Sequence, residues 1–333
     1  MEPFLPVPAY RRGWRKLAEL ERIGRRVKFW RDLPDLPERP EDGHKGTFGT
    51  GVLIGGSRGM SGAIALAGSA CLFAGAGLTR LRVPDPILET VASFQREYTI
   101  GGYPADAEGR LAYSESLVSS ALEGATAVGI GPGLGRSEDL NRLSRELFST
   151  IPVPAVFDAD ALNALGSEFE YEFPVASRIL TPHPGEFARL FGRKPTDDPK
   201  DRLDCARAFL RRVKSKAGGA FPSEFVLVLK GAESVVAKLD GASGSIRTSV
   251  NRTGCEIMAT GGSGDVLTGV IVGLLAQGAS PWDAARLGTA LCGLAGELRR
   301  AVCSRGGVAS DIIRFLPIAF DYFEDAKFAV LSR

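Results

Sequence analysis

The most chemically suggestive feature of this sequence is a carboxylate set directly after a run of small residues. Gly261, Gly262, Ser263 and Gly264 lead into Asp265 and then into an apolar series, Val266, Leu267, Val270, Ile271, Val272, Leu274 and Leu275. Apolar positions at steps of three and four mark that series as a buried helix, so the glycines fall at its N-terminus. A helix start offers unpaired N–H groups and the positive end of the dipole, and glycines let an anion approach closely, which makes phosphate the natural guest. A carboxylate there repels phosphate unless it has a proton to take or a metal to hold. The pattern predicts a base acting on a hydroxyl beside a transferring phosphoryl group. On this segment alone, an ordinary tight turn with a first-turn aspartate reads equally well.

Other chemistry-bearing residues stand at the ends of strand-like runs. Phe225 to Lys230, FVLVLK, has the near-continuous apolar character of a strand buried in a parallel sheet, and Lys230 closes it beside Gly231, suiting a nucleotide phosphate or adenosine edge. His183, one of two histidines, is held between Pro182 and Pro184, and Glu186 opens the helix that follows. A helix-initiating turn with a solvated histidine is the competing reading. Asp158, Asp160 and Asn163 follow a short strand over 153–157; the two carboxylates could reach magnesium or cap the next helix, with capping expected for one of them.

The positioning elements follow from periodicity and punctuation. A strand over 51–54 runs into Gly55-Gly56-Ser57-Arg58-Gly59-Met60-Ser61-Gly62 and then a small-residue helix from Ala63 to Ala74, an α/β unit without GxGxxG spacing. Its alanines and Gly68 would let it lie close to the sheet or to a flat ligand. Strands are expected at 78–83 and 125–130, the latter ending in GIGPGLG, where glycines keep open the crevice that α/β sheets use for ligands. A helix begins at Ser137-Glu138, a hairpin turns at Asp240-Gly241, and a long helix starts with Ser280 as N-cap and Pro281 at its first position. Alternating strands and helices predict an α/β fold, a mainly parallel sheet covered on both faces.

Composition narrows the classes further. Forty-one basic against 39 acidic residues give a net charge of +2, which argues against a general nucleic-acid partner. Residues 1–40 differ from the rest: a basic, aromatic stretch in which Leu17, Leu20 and Ile23 form a short amphipathic helix, then prolines at 34, 37 and 40. They are expected to be an N-terminal arm packed on the body or on another subunit. Five cysteines, Cys71, Cys205, Cys255, Cys292 and Cys303, show no CxxC pair and read as reduced core thiols of a cytoplasmic protein. The N-terminus has no signal pattern and no run reaches ~18 apolar residues, so neither secretion nor a membrane span is expected.

Taken together, HKGTFGTGVLIGGSRGMSGA, GIGPGLG, DADALNAL, LTPHPGEFARL, VLKGAESVV and MATGGSGDVLTGVIVGLLAQG resemble, in order and spacing, the ADP/ATP-dependent NAD(P)H-hydrate dehydratase family, over about residues 41 to 320. The resemblance implies a three-layer ribokinase-like domain over 41–333 preceded by an extension over 1–40. It also implies repair of the S epimer of hydrated NADH or NADPH, with ADP or ATP as co-substrate and Mg2+ as the accompanying ion, its ligands unassigned. Asp265 would then activate the ring hydroxyl for attack on the terminal phosphate, and Gly264 with its neighbours would stabilise the developing charge. Ala63, Gly133 and His183 match positions that hold the hydrated dinucleotide. Lys230, Gly231, Ala232, Glu233 and Ser234 match the segment that holds the nucleotide.

The chain departs from the family pattern at Cys255, where asparagine is usual, and at Glu256 and Ile257, which are bulkier than the customary small residues. Forty residues cannot hold the additional epimerase domain of many bacterial relatives, so a stand-alone dehydratase is expected. A homo-oligomer, a tetramer among the candidates, is implied as well. Two other readings share the same motifs: a kinase of small alcohols such as vitamin precursors, against which HKGTFG and TPHPGE argue, and a nucleotide-binding relative without catalysis.

Overall fold

Nine strands form one sheet among the residues that the computed structural model describes, 27–166, 173–174, 176–217 and 221–331. They are β1 Thr50–Ile54, β2 Leu78–Pro84, β3 Thr99–Tyr103, β4 Ala127–Ile130, β5 Ala155–Phe157, β6 Arg178–Leu180, β7 Glu224–Leu229, β8 Val235–Asp240 and β9 Ile246–Val250. Their spatial order is β3-β2-β1-β4-β5-β6-β7-β8-β9. All neighbours through β7 pair in parallel, and β8 and β9 complete the sheet as an antiparallel hairpin.

Period-two alternation splits the strand side chains between two cores. Leu53, Ala127, Val156, Ile179 and Val226 face one core with helices Ser61–Phe73, Ser263–Ala276, Pro281–Val302 and Ala309–Leu331. Val52, Val128, Phe157, Leu180 and Leu227 face the other with helices Glu138–Thr150, Ala159–Leu165, Pro184–Phe191 and Pro199–Lys216. The result is the expected three-layer arrangement. From β1 the chain winds outward through β2 to β3, then returns and continues on the opposite side through β4. The order therefore reverses between β1 and β4, which opens a crevice at their carboxyl ends.

The small residues of Ser61–Phe73 serve close packing. A β-carbon on Gly269 of the helix Ser263–Ala276 would lie 2.1 Å from the Ala67 carbonyl oxygen and 2.8 Å from Ala70 Cβ, so these helices meet nearly backbone to backbone. At the far edge of this layer, Trp30 from the short helix Val27–Asp32 is 1% exposed and packs edge-on to Phe323, while Lys327 pairs with Asp35. The expected helix carrying Leu17, Leu20 and Ile23 lies outside the described residues.

The cysteine expectation needs correction. Cys71, Cys205 and Cys292 are buried, but Cys255 is half-buried and Cys303 is exposed, because it stands one residue past the end of Pro281–Val302.

Gly269→Ala should destabilise the protein by about 1–3 kcal/mol through overpacking, despite alanine's better helix propensity. Gly62→Ala, whose β-carbon meets nothing within 4 Å, should be neutral or gain up to about 1 kcal/mol. Thermal melts of both variants check this, and a Gly269→Ala protein as stable as the parent contradicts the close helix contact.

Candidate active site

The carboxyl ends of β5, β6 and β7 and the start of Ser263–Ala276 converge on one spot. Lys230, the residue after β7, extends its ammonium to Asp158, the residue after β5, with Nζ 2.7 Å from Oδ1. Asp158 is 1% exposed, and its other oxygen accepts from Thr268 Oγ1 at 2.8 Å. Glu186 stands 3.9 Å from the same ammonium. Burial works against the Lys230 charge, but Asp158 and Glu186 outweigh it and hold its pKa above the ordinary lysine value. Arg202 pins the backbone here, donating to the carbonyls of Leu229 and Lys230 at 3.0 and 2.9 Å.

Asp158 does not cap the helix Ala159–Leu165 with its side chain, although it occupies the N-cap position. Lys230 and Thr268 take both its oxygens instead. Asp160 does not cap either: it accepts from the Gly135 amide at 3.0 Å and from Arg136 at 3.3 Å. The expectation of a capping carboxylate is thus corrected for both residues, because donors from other elements, Lys230 and Thr268 for Asp158 and Gly135 and Arg136 for Asp160, occupy them.

Gly262 forms the N-cap of Ser263–Ala276 in the left-handed conformation, φ 91°, which glycine adopts without strain. Gly264 faces the ion pair so closely that a β-carbon there would lie 3.1 Å from Lys230 Nζ and 3.7 Å from Asp158 Oδ2. The first-turn amides of this helix have no intrahelical partners, so an anion between them and Lys230 meets donors from both sides. Asp265 belongs to the same turn. Burial first, then the negative charge of Asp158, pushes its pKa up to about 7, with Lys230 only partly opposing.

His183 caps Pro184–Phe191: its Nδ1 accepts from the Gly185 amide at 3.0 Å, and its own amide donates to the Glu186 carboxylate at 2.8 Å. An accepting Nδ1 leaves the proton on Nε2, which stands 3.3 Å from Glu186 Oε1. Burial, then Lys230 and Arg189, lower the His183 pKa, so the ring is neutral near pH 7. Burial raises the pKa of Glu186.

A cavity of about 550 Å3 opens beside this cluster, lined on one side by Lys230, Gly231, Ala232 and Ser234 and on another by Ser263, Gly264 and Leu267. Its outer wall is the segment 251–258, pinned to Pro281–Val302 by bonds from Asn251 to the Thr289 carbonyl, Thr253 to Ala290 and the Gly254 amide to Glu297. Glu233 turns away from the lining and pairs with Arg252. Cys255 and Glu256 line the cavity, and Glu256 also pairs with Arg300. Ala63 and Gly133 meet in the crevice between β1 and β4, where a β-carbon on Gly133 would lie 3.0 Å from Ala63 Cβ. The HKGTFG segment lies at the amino end of β1, where Gly77 donates to the Phe48 carbonyl, and so stands apart from these residues. A larger cavity, about 950 Å3 between residues 35–39 and the final helix, contains none of the candidate residues.

Thr268, Arg202 and Glu297 escaped the sequence reading. Only Thr268 carried a signal there, a polar residue one turn after Asp265 in an otherwise apolar helix.

Comparison with known proteins shows the family and the fold. The sequence model described as NAD(P)H-hydrate dehydratase matches residues 51–317. A bifunctional NAD(P)H-hydrate repair enzyme of Moorella thermoacetica is 40% identical over 295 residues, covering 87% of this chain and 52% of that enzyme, so the chain spans about half the length of such relatives. An ADP-dependent (S)-NAD(P)H-hydrate dehydratase of Neisseria meningitidis is 36% identical, covering 83% of this chain and 84% of its own. Among solved structures, an ADP/ATP-dependent NAD(P)H-hydrate dehydratase of Bacillus subtilis, co-crystallised with ATP and magnesium, superposes with a TM-score of 0.72 at 29% identity, covering 89% and 97% of the two chains. A ribokinase-like superfamily protein of Enterococcus faecalis superposes with a TM-score of 0.69 at 24% identity, over 89% and 94% of the chains. The fold is ribokinase-like.

Two stability predictions follow from the charge cluster. Lys230→Met leaves Asp158 buried and unpaired and should cost about 3–5 kcal/mol, part of which returns when Asp158→Asn is added; denaturant titration of both proteins measures this, and a double variant no better than the single one contradicts it. For Asp265, the folded pKa of about 7 lies above the ordinary value of 3.8, so the folded state binds the extra proton and stability falls as pH rises from about 4 to 7. Asp265→Asn removes that loss. Its melting temperature should match the parent near pH 4, exceed it increasingly up to pH 7, and keep a constant lead above.

Proposed function

This chain belongs to the NAD(P)H-hydrate dehydratase family, and from that premise we propose that it dehydrates the S epimer of hydrated NADH or NADPH, driven by ADP or ATP. The observation that carries the reading is Asp265, a carboxylate whose pKa is raised to about 7 in the first turn of a glycine-led helix beside the Lys230 ammonium. A base at that pKa accepts a proton effectively near neutral pH.

The Asp265 carboxylate takes the proton of the ring hydroxyl as that oxygen attacks the terminal phosphorus of the nucleotide. The bond from phosphorus to its bridging oxygen breaks, and the nucleotide leaves one phosphate shorter. The Gly264 region of the helix start and Lys230 offset the charge on the migrating group. The ring nitrogen's electron pair then expels the new phosphate ester as inorganic phosphate, and loss of a proton from the neighbouring carbon restores the double bond. Ala63, Gly133 and the neutral His183 hold the dinucleotide, and Lys230, Gly231, Ala232, Glu233 and Ser234 hold the nucleotide. Of this last group Glu233 acts through its backbone, since its carboxylate is engaged by Arg252.

Magnesium would be brought by the nucleotide. Among the described residues no group of three or more His, Cys, Asp or Glu side chains is arranged to hold a metal, and Asp158 is committed to Lys230 and Thr268. The side chains alone therefore do not fit a resident ion, and no step above runs through one. We place the reaction in the cytoplasm, in a homo-oligomer, with residues 41–333 as the dehydratase domain and 1–40 as its extension. Among the described residues no helix is long and apolar enough to cross a membrane.

Asp265→Asn should lower turnover by a factor on the order of 10² or more while leaving ADP affinity within a few-fold. The assay follows return of reduced-nicotinamide absorbance from hydrated NADH with ADP and with ATP, beside calorimetric titration of ADP. For the parent, kcat/KM should rise through pH 7 and level off. Silence of the parent with both nucleotides, alongside phosphorylation of a hydroxymethyl heterocycle, makes it a kinase; ADP binding by two equally inert proteins makes it a binding module.

A further inference from the structure

The crevice where the strand order reverses has cationic groups that the reaction above does not use. Its walls are joined by the buried hydroxyl of Ser57, which donates to the Gly133 carbonyl at 2.8 Å, and by the Gly56 amide, which donates to Pro132 at 2.8 Å. Three arginines border it. The Arg58 backbone amide donates to the Gly109 carbonyl at 3.0 Å, and a β-carbon on Gly109 would lie 3.2 Å from Arg58 Nε. Arg110 has its stem against Gly135, 2.9 Å from that residue's β-position, and donates to the Arg136 carbonyl at 2.7 Å.

These arginines are not equivalent. Arg110 is committed to Asp106 at 2.8 Å and to Glu108, so it serves as a pin that fixes the approach to Arg136. Arg136 gives only Nε, at 3.3 Å, to Asp160, and is 65% exposed. The Arg58 guanidinium is exposed and has no hydrogen bond or ion pair among the described residues. Beside them begins the helix Ser61–Phe73, whose N-cap Met60 supplies no side-chain bond, and at Gly62 the approach to its first turn is open.

The charge distribution across the site assigns these groups a partner. Around Lys230, Asp158, Glu186 and Asp265 share a single ammonium, and Asp160, whose own carboxylate is answered by Arg136, adds its negative charge to theirs at Asp265. A dinucleotide with its ring at Asp265 cannot lay its phosphates on that acidic cluster. The nucleotide cavity, lined by Thr289, Cys292 and Gly293, does not include the arginines. We propose that Arg58 and Arg136 form a phosphate subsite of the dinucleotide substrate, receiving either its pyrophosphate or the 2′-phosphate that distinguishes the NADPH form. The proposal rests on the dehydratase reading for the identity of the ligand and on the crevice geometry for its place.

The test is fluorescence titration of NADPH and of NADH against the parent, Arg58→Gln and Arg58→Gln/Arg136→Gln, with dehydration of both hydrated forms measured in parallel. Dissociation constants should rise about tenfold or more for the double variant, with KM following and kcat changing little, and the Arg58→Gln melting temperature should stay at the parental value. Equal weakening of both dinucleotides identifies the pyrophosphate; weakening of NADPH alone identifies the 2′-phosphate. Unchanged dissociation constants overturn the subsite even if the parent is an active dehydratase, as does a parent that binds neither dinucleotide. A parent that binds both through these arginines yet restores no absorbance keeps the subsite and removes the dehydratase reading.

Discussion

The pairing of Lys230 with Asp158, deep at the ends of β7 and β5, is the constraint that the surrounding geometry must satisfy. Two charges taken from water regain their hydration only if attraction and hydrogen bonds are both well formed, so such a pair adds little stability yet is costly to break. Here a third element is recruited: Thr268 donates to the remaining carboxylate oxygen from within the helix Ser263–Ala276. Two strands separated by β6 and a helix from the layer above must therefore meet within hydrogen-bond distance. A one-residue slip of β5 or β7 would turn its flanking side chains to the opposite face and leave a buried charge alone. The pair thus specifies register, and through Thr268 it fixes where the helix begins over the strand ends.

The same pair sets the chemistry of Asp265. A lysine free to answer only that carboxylate would hold its pKa low and leave a poor base. Because Asp158 takes up most of the attraction while contributing its own negative charge, burial prevails and the pKa reaches about 7. On the proposed reading, function and stability pull in opposite directions at this position: the environment that makes Asp265 basic also makes its ionised form unwelcome in the folded state.

Much of this was readable in the sequence, for reasons that differ by element. The helix after Asp265 and the run FVLVLK are so apolar that burial on all sides was the only consistent outcome, and local signals at Ser280-Pro281 and Asp240-Gly241 marked a helix start and a turn. β3, TIGGY, went unread because it is a partly exposed edge strand with two glycines, and the final helix because Pro317 interrupts its pattern. The partner of Asp158 lies 72 residues away, and no local rule chooses between a cap and a distant lysine. Capping was the default, and tertiary contact overrode it. Cys303 misled in the same way, since composition cannot tell a core thiol from one just beyond a helix end.

Helix geometry supplies the last step. Successive residues of an α-helix are rotated by about 100°, so Gly264 and Asp265 cannot face the same way. Gly264 lines the cavity of about 550 Å3, whereas Asp265 is absent from that lining and feels the charges of Asp158, Lys230, Glu186 and Asp160. On the function proposed above, the first turn of this helix is a partition, with its backbone toward the phosphate donor and its carboxylate toward the dinucleotide. A hydroxyl presented from the crevice and a phosphorus presented from the cavity would meet at the edge of that turn, beside Lys230. Replacing the glycine at 264 with any side chain would press on the ammonium 3.1 Å away, so the approach to Lys230 requires the smallest residue directly before the acidic one.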